Sequence, residues 1–161
     1  MRRHQKGFSL IELLIVVAII LIIAAIAIPN LLRSRMAANE ASAVGSLRTI
    51  NTAEVTYSTT YPSVGFAATI AALGGAAPCT TAVSTASCLI DDVLSMAAVK
   101  SGYQFTAVGV AGAGGLNVTY TATAVPSVVG QSGQRAFFTD QSGVIRYDAS
   151  GAGANASSPA L

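Results

Sequence analysis

The side chains of this 161-residue chain that can do chemistry are few: seven carboxylates, two cysteines and one histidine. The carboxylate in the least expected place is Glu12. It lies within residues 8–28, FSLIELLIVVAIILIIAAIAI, where it is the single charge and Ser9 the single hydroxyl. An ionised side chain at a bilayer centre costs about 2.5–3.5 kcal/mol on insertion scales, so a carboxylate inside such a run marks a functional position. A place beside the headgroups lowers that cost but leaves unexplained why Glu12 follows Phe-Ser-Leu-Ile instead of preceding it.

The other candidates are weaker. Asp91 and Asp92 adjoin, as an acid–base pair would, yet they stand where a helix over residues 89–98 begins, and negative charge there complements the helix dipole. Asp140 and Asp148 lack the further oxygen donors that a calcium loop needs at fixed spacing. Gly112-Ala113-Gly114-Gly115 lacks the last glycine of a dinucleotide fingerprint, because position 117 is Asn, and it links two strands instead of opening a helix. His4 is the one imidazole and precedes the apolar run, so the rest of the chain cannot build a triad or a histidine metal site. These readings predict no enzyme, no metal and no cofactor. Cys79 and Cys88 stand nine positions apart. In an oxidising compartment an even pair reads as one disulfide, which the chain-entropy relation values at about 2.7 kcal/mol for so small a loop. Two free, buried thiols are the alternative.

Composition separates the elements that must hold these residues. Hydrophobic residues make up 52% and charged residues 10%, where an ordinary soluble domain carries roughly 25% charged. Disorder requires the reverse balance. A net charge of +2 spread thinly gives no basic face, so no specific nucleic-acid partner is expected. Residues 8–28 are long enough to cross a bilayer core of ~30 Å at ~1.5 Å per residue. A secretory signal would use the same basic start, here Arg2, Arg3 and Lys6, but its apolar core is about 7–15 residues, whereas this run continues towards Leu31 and Leu32. The basic residues before the run predict a cytoplasmic N-terminus, with the remainder carried across the membrane.

Between residues 33 and 57 there is no proline. Met36, Val44, Leu47, Ile50 and Tyr57 recur there at helical spacing, with Arg35, Asn39, Ser42, Ser46, Arg48 and Asn51 between them. Residues 8–57 therefore read as one helix of roughly 75 Å, kinked at Pro29, whose ring removes a donor and crowds the Ala25 carbonyl. Thr59-Thr60-Tyr61-Pro62-Ser63 ends it. Residues 66–73 and 89–98 are short helical candidates. Strands are predicted at 103–110, 117–125, 134–139 and 144–148, which are rich in β-branched and aromatic residues. In the second of them Val118, Tyr120, Ala122 and Ala124 alternate with Thr119, Thr121 and Thr123. Asp140-Gln141-Ser142-Gly143 fits a type I turn. One face of the resulting antiparallel sheet can pack on the 36–57 stripe, an α+β arrangement. Residues 149–161, small and polar, predict a frayed tail.

The segment Lys6-Gly7-Phe8-Ser9-Leu10-Ile11-Glu12-Leu13-Leu14-Ile15-Val16-Val17 follows a short basic leader and precedes Ala-rich apolar residues and Pro29. Over about the first 57 residues this pattern closely resembles type IV pilins and type II secretion pseudopilins. The resemblance implies a pilin-like α+β fold: a long N-terminal helix, half membrane-embedded and half amphipathic, packed against an antiparallel β-sheet head. It implies cleavage between Gly7 and Phe8 by a membrane aspartic peptidase and N-methylation of Phe8. It also implies that Glu12 pairs with the N-terminal amine of a neighbouring subunit during filament assembly. The physics of that pairing is simple. Removing residues 1–7 frees an ammonium at Phe8, which the edge of the hydrocarbon tolerates mainly when paired. Glu12 lies four residues on, about 6 Å along a helix, so a neighbour displaced axially by a comparable amount brings its amine to this carboxylate. The amine of Phe8 itself is the competing partner. For Pro29 the resemblance adds a second possibility, loss of helicity before it when subunits pack.

The implied function is that of a structural subunit of a bacterial type IV pilus, resident in the inner membrane before assembly and in an extracellular pilus afterwards. Its implied partners are identical or related pilin subunits, the prepilin peptidase/methyltransferase, inner-membrane assembly machinery and, before assembly, the lipid bilayer. One alternative is a type II secretion pseudopilin, whose usual C-terminal calcium loop has no convincing equivalent here; another is a membrane-anchored binding domain that never polymerises. The implied organisation is leader 1–7, membrane and polymerisation helix 8–28, amphipathic helix 29–57, globular head 58–148 and tail 149–161. Arg2, Arg3 and Lys6 leave with the leader, so the mature side chains comprise six basic against seven acidic, a net of −1. The isoelectric point near 8.7 belongs to the precursor.

Overall fold

The computed structural model of the chain describes residues 8–161. It divides between Arg35 and Met36 into two units, and one helix, α1 (Leu10–Thr60), contributes to both. In the first unit every described residue but Ala24 is exposed, and Pro29 sits inside the helix without ending it. The apolar side chains of residues 10–32 therefore form no interior of their own. A helix that is apolar on all sides needs an apolar surrounding, and this one is long and apolar enough to cross a membrane.

In the second unit, residues 36–161, the same helix has a buried face. Ala43 and Val44, then Leu47, Ile50, Ala53 and Tyr57 at intervals of three and four, line it. Beyond α1 come α2 (Ile70–Leu73), a short π-helix (Val93–Ala97) and five strands: β1 (Val99–Lys100), β2 (Tyr103–Ala111), β3 (Asn117–Pro126), β4 (Ala136–Asp140) and β5 (Arg146–Asp148). The strands form an antiparallel meander in chain order. Tyr103, Phe105 and Ala107 of β2, Ala122 and Ala124 of β3, and Phe137 of β4 join the buried face of α1 in one core. Register sets Phe105 opposite Ala124. A ring beside a methyl leaves room for the helix to approach, so large and small side chains interdigitate at interior density. Outward-facing Thr106 and Thr123 share a hydroxyl hydrogen bond at 2.7 Å. The chain has the expected α+β, pilin-like architecture.

Several local expectations change. Residues 66–69 are not helical, because their backbone groups are taken by the sheet: Phe66 N–H donates to Asn117 O and Gly109 N–H donates to Ala68 O. Helix α2 is confined to Ile70–Leu73. The candidate over 89–98 contracts to Val93–Ala97 with π geometry and stops at Ala98, whose φ of 52° ends the turn. The extra strand β1 follows at once. Ser46, read as polar surface, is buried. Residues 149–161 do not simply fray. Tyr147 N–H donates to Pro159 O at 3.0 Å and Leu161 N–H to Ile145 O at 2.9 Å, so the tail satisfies the unpaired edge of β5. The turn at Asp140 closes as its sequence indicates, with Gly143 N–H donating to Asp140 O at 2.9 Å.

Candidate functional site

In the first unit the candidate assembly residues sit at the start of α1. Gly7 lies outside the described residues, as do Arg2, Arg3 and Lys6. Phe8 is 79% exposed and precedes the helix. Ser9 N–H donates to Glu12 Oε2 at 3.0 Å, and Leu13 N–H donates to Ser9 O at 3.2 Å. This is half of a capping box: a carboxylate three residues into the helix reaches back to the cap residue's amide. A negative group in the first turn also meets the positive end of the helix dipole. The structure thus gives Glu12 a partner that the sequence reading did not weigh, although Ser9-Leu10-Ile11-Glu12 carries the Ser-X-X-Glu signal. Among the described residues only Oε2 is engaged. The other oxygen is available to a further donor, so capping and pairing with an ammonium are compatible. Pro29 lies seventeen residues on, roughly 25 Å along the helix.

In the second unit, Cys79 and Cys88 form a disulfide with a Cα–Cα distance of 5.7 Å. Gly75 lies under it. A Cβ there would stand 2.5 Å from Cys79 Sγ, so the bridge can approach only a glycine. The loop is tied down on both sides, by Tyr57 Oη donating to Ser84 O at 2.5 Å and by Leu89 N–H donating to Leu73 O at 2.8 Å. Asp91 accepts Leu94 N–H at 2.8 Å and pairs with Lys100 Nζ at 2.8 Å. The Lys100 hydrogen bond leads in holding its carboxyl below the usual range. Asp91 thus serves the turn that follows it. Asp140 and Asp148 are each occupied by a serine of their own turn, Ser142 and Ser150.

Two carboxylates absent from the sequence reading dominate the head. Glu40 accepts Gln134 N–H at 2.9 Å and Arg135 N–H at 3.1 Å through Oε1, and the Arg135 guanidinium at 2.8 Å through Oε2. Burial would raise its pKa, but the two amides and the guanidinium together outweigh burial and leave it lowered. Arg135 in turn lies over the rings of Phe137 and Tyr147, at 5.5 and 5.6 Å from their centroids. Glu54 is buried completely, and burial pushes its carboxyl up to about 7 against the opposing hydrogen bond from Ala67 N–H. Helical spacing could have found both, since positions 40 and 54 continue the stripe of Leu47, Ile50 and Tyr57.

Fold and N-terminal segment together define a class: an α+β head in one unit and, in the other, a capped helical segment that is apolar on all sides after Glu12. Residues 2–28 match the model of the prokaryotic N-terminal methylation motif. The chain is 66% identical over 38 residues to the type IV wide pilus major component PilA4 of Thermus thermophilus, covering 24% of this chain and 29% of that protein. It is 44% identical over 54 residues to the type IV major pilin protein PilA of Myxococcus xanthus, covering 34% of this chain and 24% of that one. The match therefore spans less than a third of either relative. No solved structure matches the chain.

Proposed function

We propose that the chain is a structural subunit of a bacterial type IV pilus. On this reading a prepilin peptidase cuts between Gly7 and Phe8 and methylates the new amine. Residues 8–28 hold the subunit in the inner membrane with its N-terminus cytoplasmic, residues 29–57 carry the head, and the assembly machinery then transfers the helix from lipid to its neighbours. The observation that carries this reading is the apolar surface of residues 10–32, exposed on every side. Outside lipid, only other copies of such a helix can keep it dry. The second oxygen of Glu12 supplies the acceptor for a neighbour's ammonium.

Two variants test the assembly role, each followed by membrane fractionation, electron microscopy of sheared surface material and mass spectrometry of the subunit. Glu12→Val removes both cap and charge, whereas Glu12→Gln keeps an acceptor for Ser9 N–H and removes only the charge. Both are expected to insert normally, to begin at methylated Phe8 and to yield no surface filaments. Normal filament yield from Glu12→Gln would sink the pairing role and leave Glu12 as a cap. Fibres confined to the periplasm would identify a pseudopilin instead.

A further inference from the structure

Residues 64–69 run as a strap between α1 and the sheet. Phe66 N–H donates to Asn117 O at 3.0 Å, Asn117 N–H to Val64 O at 2.9 Å, and Asn117 Nδ2 to Phe66 O at 2.8 Å. The strap lies directly on β2, where a Cβ at Gly109 would stand 2.5 Å from Ala67 O. On the helix side Glu54 holds it, with Oε2 accepting Ala67 N–H at 2.9 Å. Glu54 is 0% exposed and its Oε1 has no hydrogen-bond partner.

The ionisable groups around it do not neutralise a charge. Tyr57 faces it from α1 and Tyr120 from β3, with Tyr61 against Tyr57 and Asp140 beside Tyr120. Burial raises both phenols, that of Tyr120 to about 12, so they stay neutral throughout the physiological range. Among the described residues the ion pairs are Lys100–Asp91 and Arg135–Glu40, and neither reaches Glu54.

We propose that Glu54 is a proton-controlled latch: as the acid it holds the strap of residues 64–69 against α1, and on losing its proton it releases the strap while the sheet stays folded. A bare carboxylate with one oxygen unpartnered in an apolar interior costs far more than the neutral acid. The strap covers the carboxyl at Oε2, through the Ala67 amide, so opening it admits water to the Glu54 head group. The sign follows from linkage. The closed state binds the proton near pH 7 and an opened, hydrated Glu54 near its ordinary 4.5. Closure is therefore fully favoured below pH 4.5 and loses that advantage as pH rises to 7. Opening grows tenfold per pH unit across this window, about 300-fold in all, and then levels.

Hydrogen exchange on the full chain in detergent micelles tests the latch, with protection corrected for intrinsic rates from pH 4.5 to about 8. The Phe66 and Ala67 amides are expected to lose about 300-fold protection by pH 7 while residues 120–124 of β3 keep theirs. Glu54→Gln, which retains an acceptor for Ala67 N–H, is expected to abolish the pH dependence. A flat profile in the unaltered chain, a loss shared equally by β3, or a dependence that survives in Glu54→Gln would each overturn the proposal. Should the variant fail to fold, carboxyl carbon-13 titration of the unaltered chain decides: a Glu54 midpoint at the pH where the loss of Phe66 and Ala67 protection levels off supports the latch, and one near 4.5 refutes it.

Discussion

Replacing Glu40 by alanine strips three hydrogen bonds and an ion pair from one point in the head. The two backbone donors, Gln134 N–H and Arg135 N–H, lose their shared acceptor. Arg135 loses the carboxylate that orients it. The two losses differ in weight. The Arg135 side chain is 39% exposed, so water takes over much of its solvation and the ion pair itself contributes little. The amides are part-buried against a side chain only 11% exposed, and an unsatisfied buried donor costs about 1–3 kcal/mol. Glu40→Ala should therefore lower unfolding free energy by about 3 kcal/mol, chiefly through those two amides. Glu40→Gln keeps one carbonyl oxygen for both, so its cost should be about 1 kcal/mol. For a head of this size the alanine variant should melt roughly 10 °C lower, with the glutamine variant near a third of that shift. Circular dichroism melts of the three full-length proteins in the same detergent measure this. Equal shifts for the two variants, or an alanine shift under about 2 °C, would show that the amides are satisfied by other means and that Glu40 does not hold them.

Acid titration offers a second check on Glu40: its folded pKa is lowered, so its contribution is present above pH 4.5 and disappears as pH falls through the folded value. Unfolding stability of the unaltered head should drop in that acid range, and Glu40→Gln should blunt the drop. Cys79→Ser with Cys88→Ser should lower the denaturant-extrapolated stability by about 2.7 kcal/mol, and limited proteolysis should then cut within residues 75–88. Gly133→Ala places a Cβ 2.0 Å from Tyr103 Oη. That ring is fully buried and its hydroxyl donates to Arg135 O, so it cannot step aside, and a loss of about 1–3 kcal/mol is expected in the same unfolding assay.

Legibility in the sequence followed how local each signal is. The apolar run with its lone Glu12 is legible because bilayer thickness and charge cost are both read from neighbouring residues. Strands β2 to β5 are legible because β-branched and aromatic runs alternate between turns such as Asp140–Gly143. Strand β1 is not, since two residues cannot show a period and its place depends on the left-handed Ala98, Ser101 and Gly102. Residues 66–69 misled for a related reason: small residues read as helical until Asn117 and Gly109, some 40 to 50 positions away in sequence, claim their backbone. Glu40 and Glu54 are hard to read because a charged side chain is ordinarily solvent-exposed. Their spacing put them on the buried stripe, and spacing was the better guide, because a buried carboxylate can be satisfied by amides from segments remote in sequence, here residues 134, 135 and 67.

The sheet carries protection on both flanks. At one side β1 is only two residues long, and beside it Ala68 O takes the Gly109 amide of β2. At the other, residues 159–161 occupy the outer rim of β5. Naked strand edges held at high local density template cross-β growth. Copies of this head can therefore be crowded together without zipping into amyloid-like stacks, and a variant lacking residues 159–161 should be the one that gains thioflavin-positive aggregation on concentration.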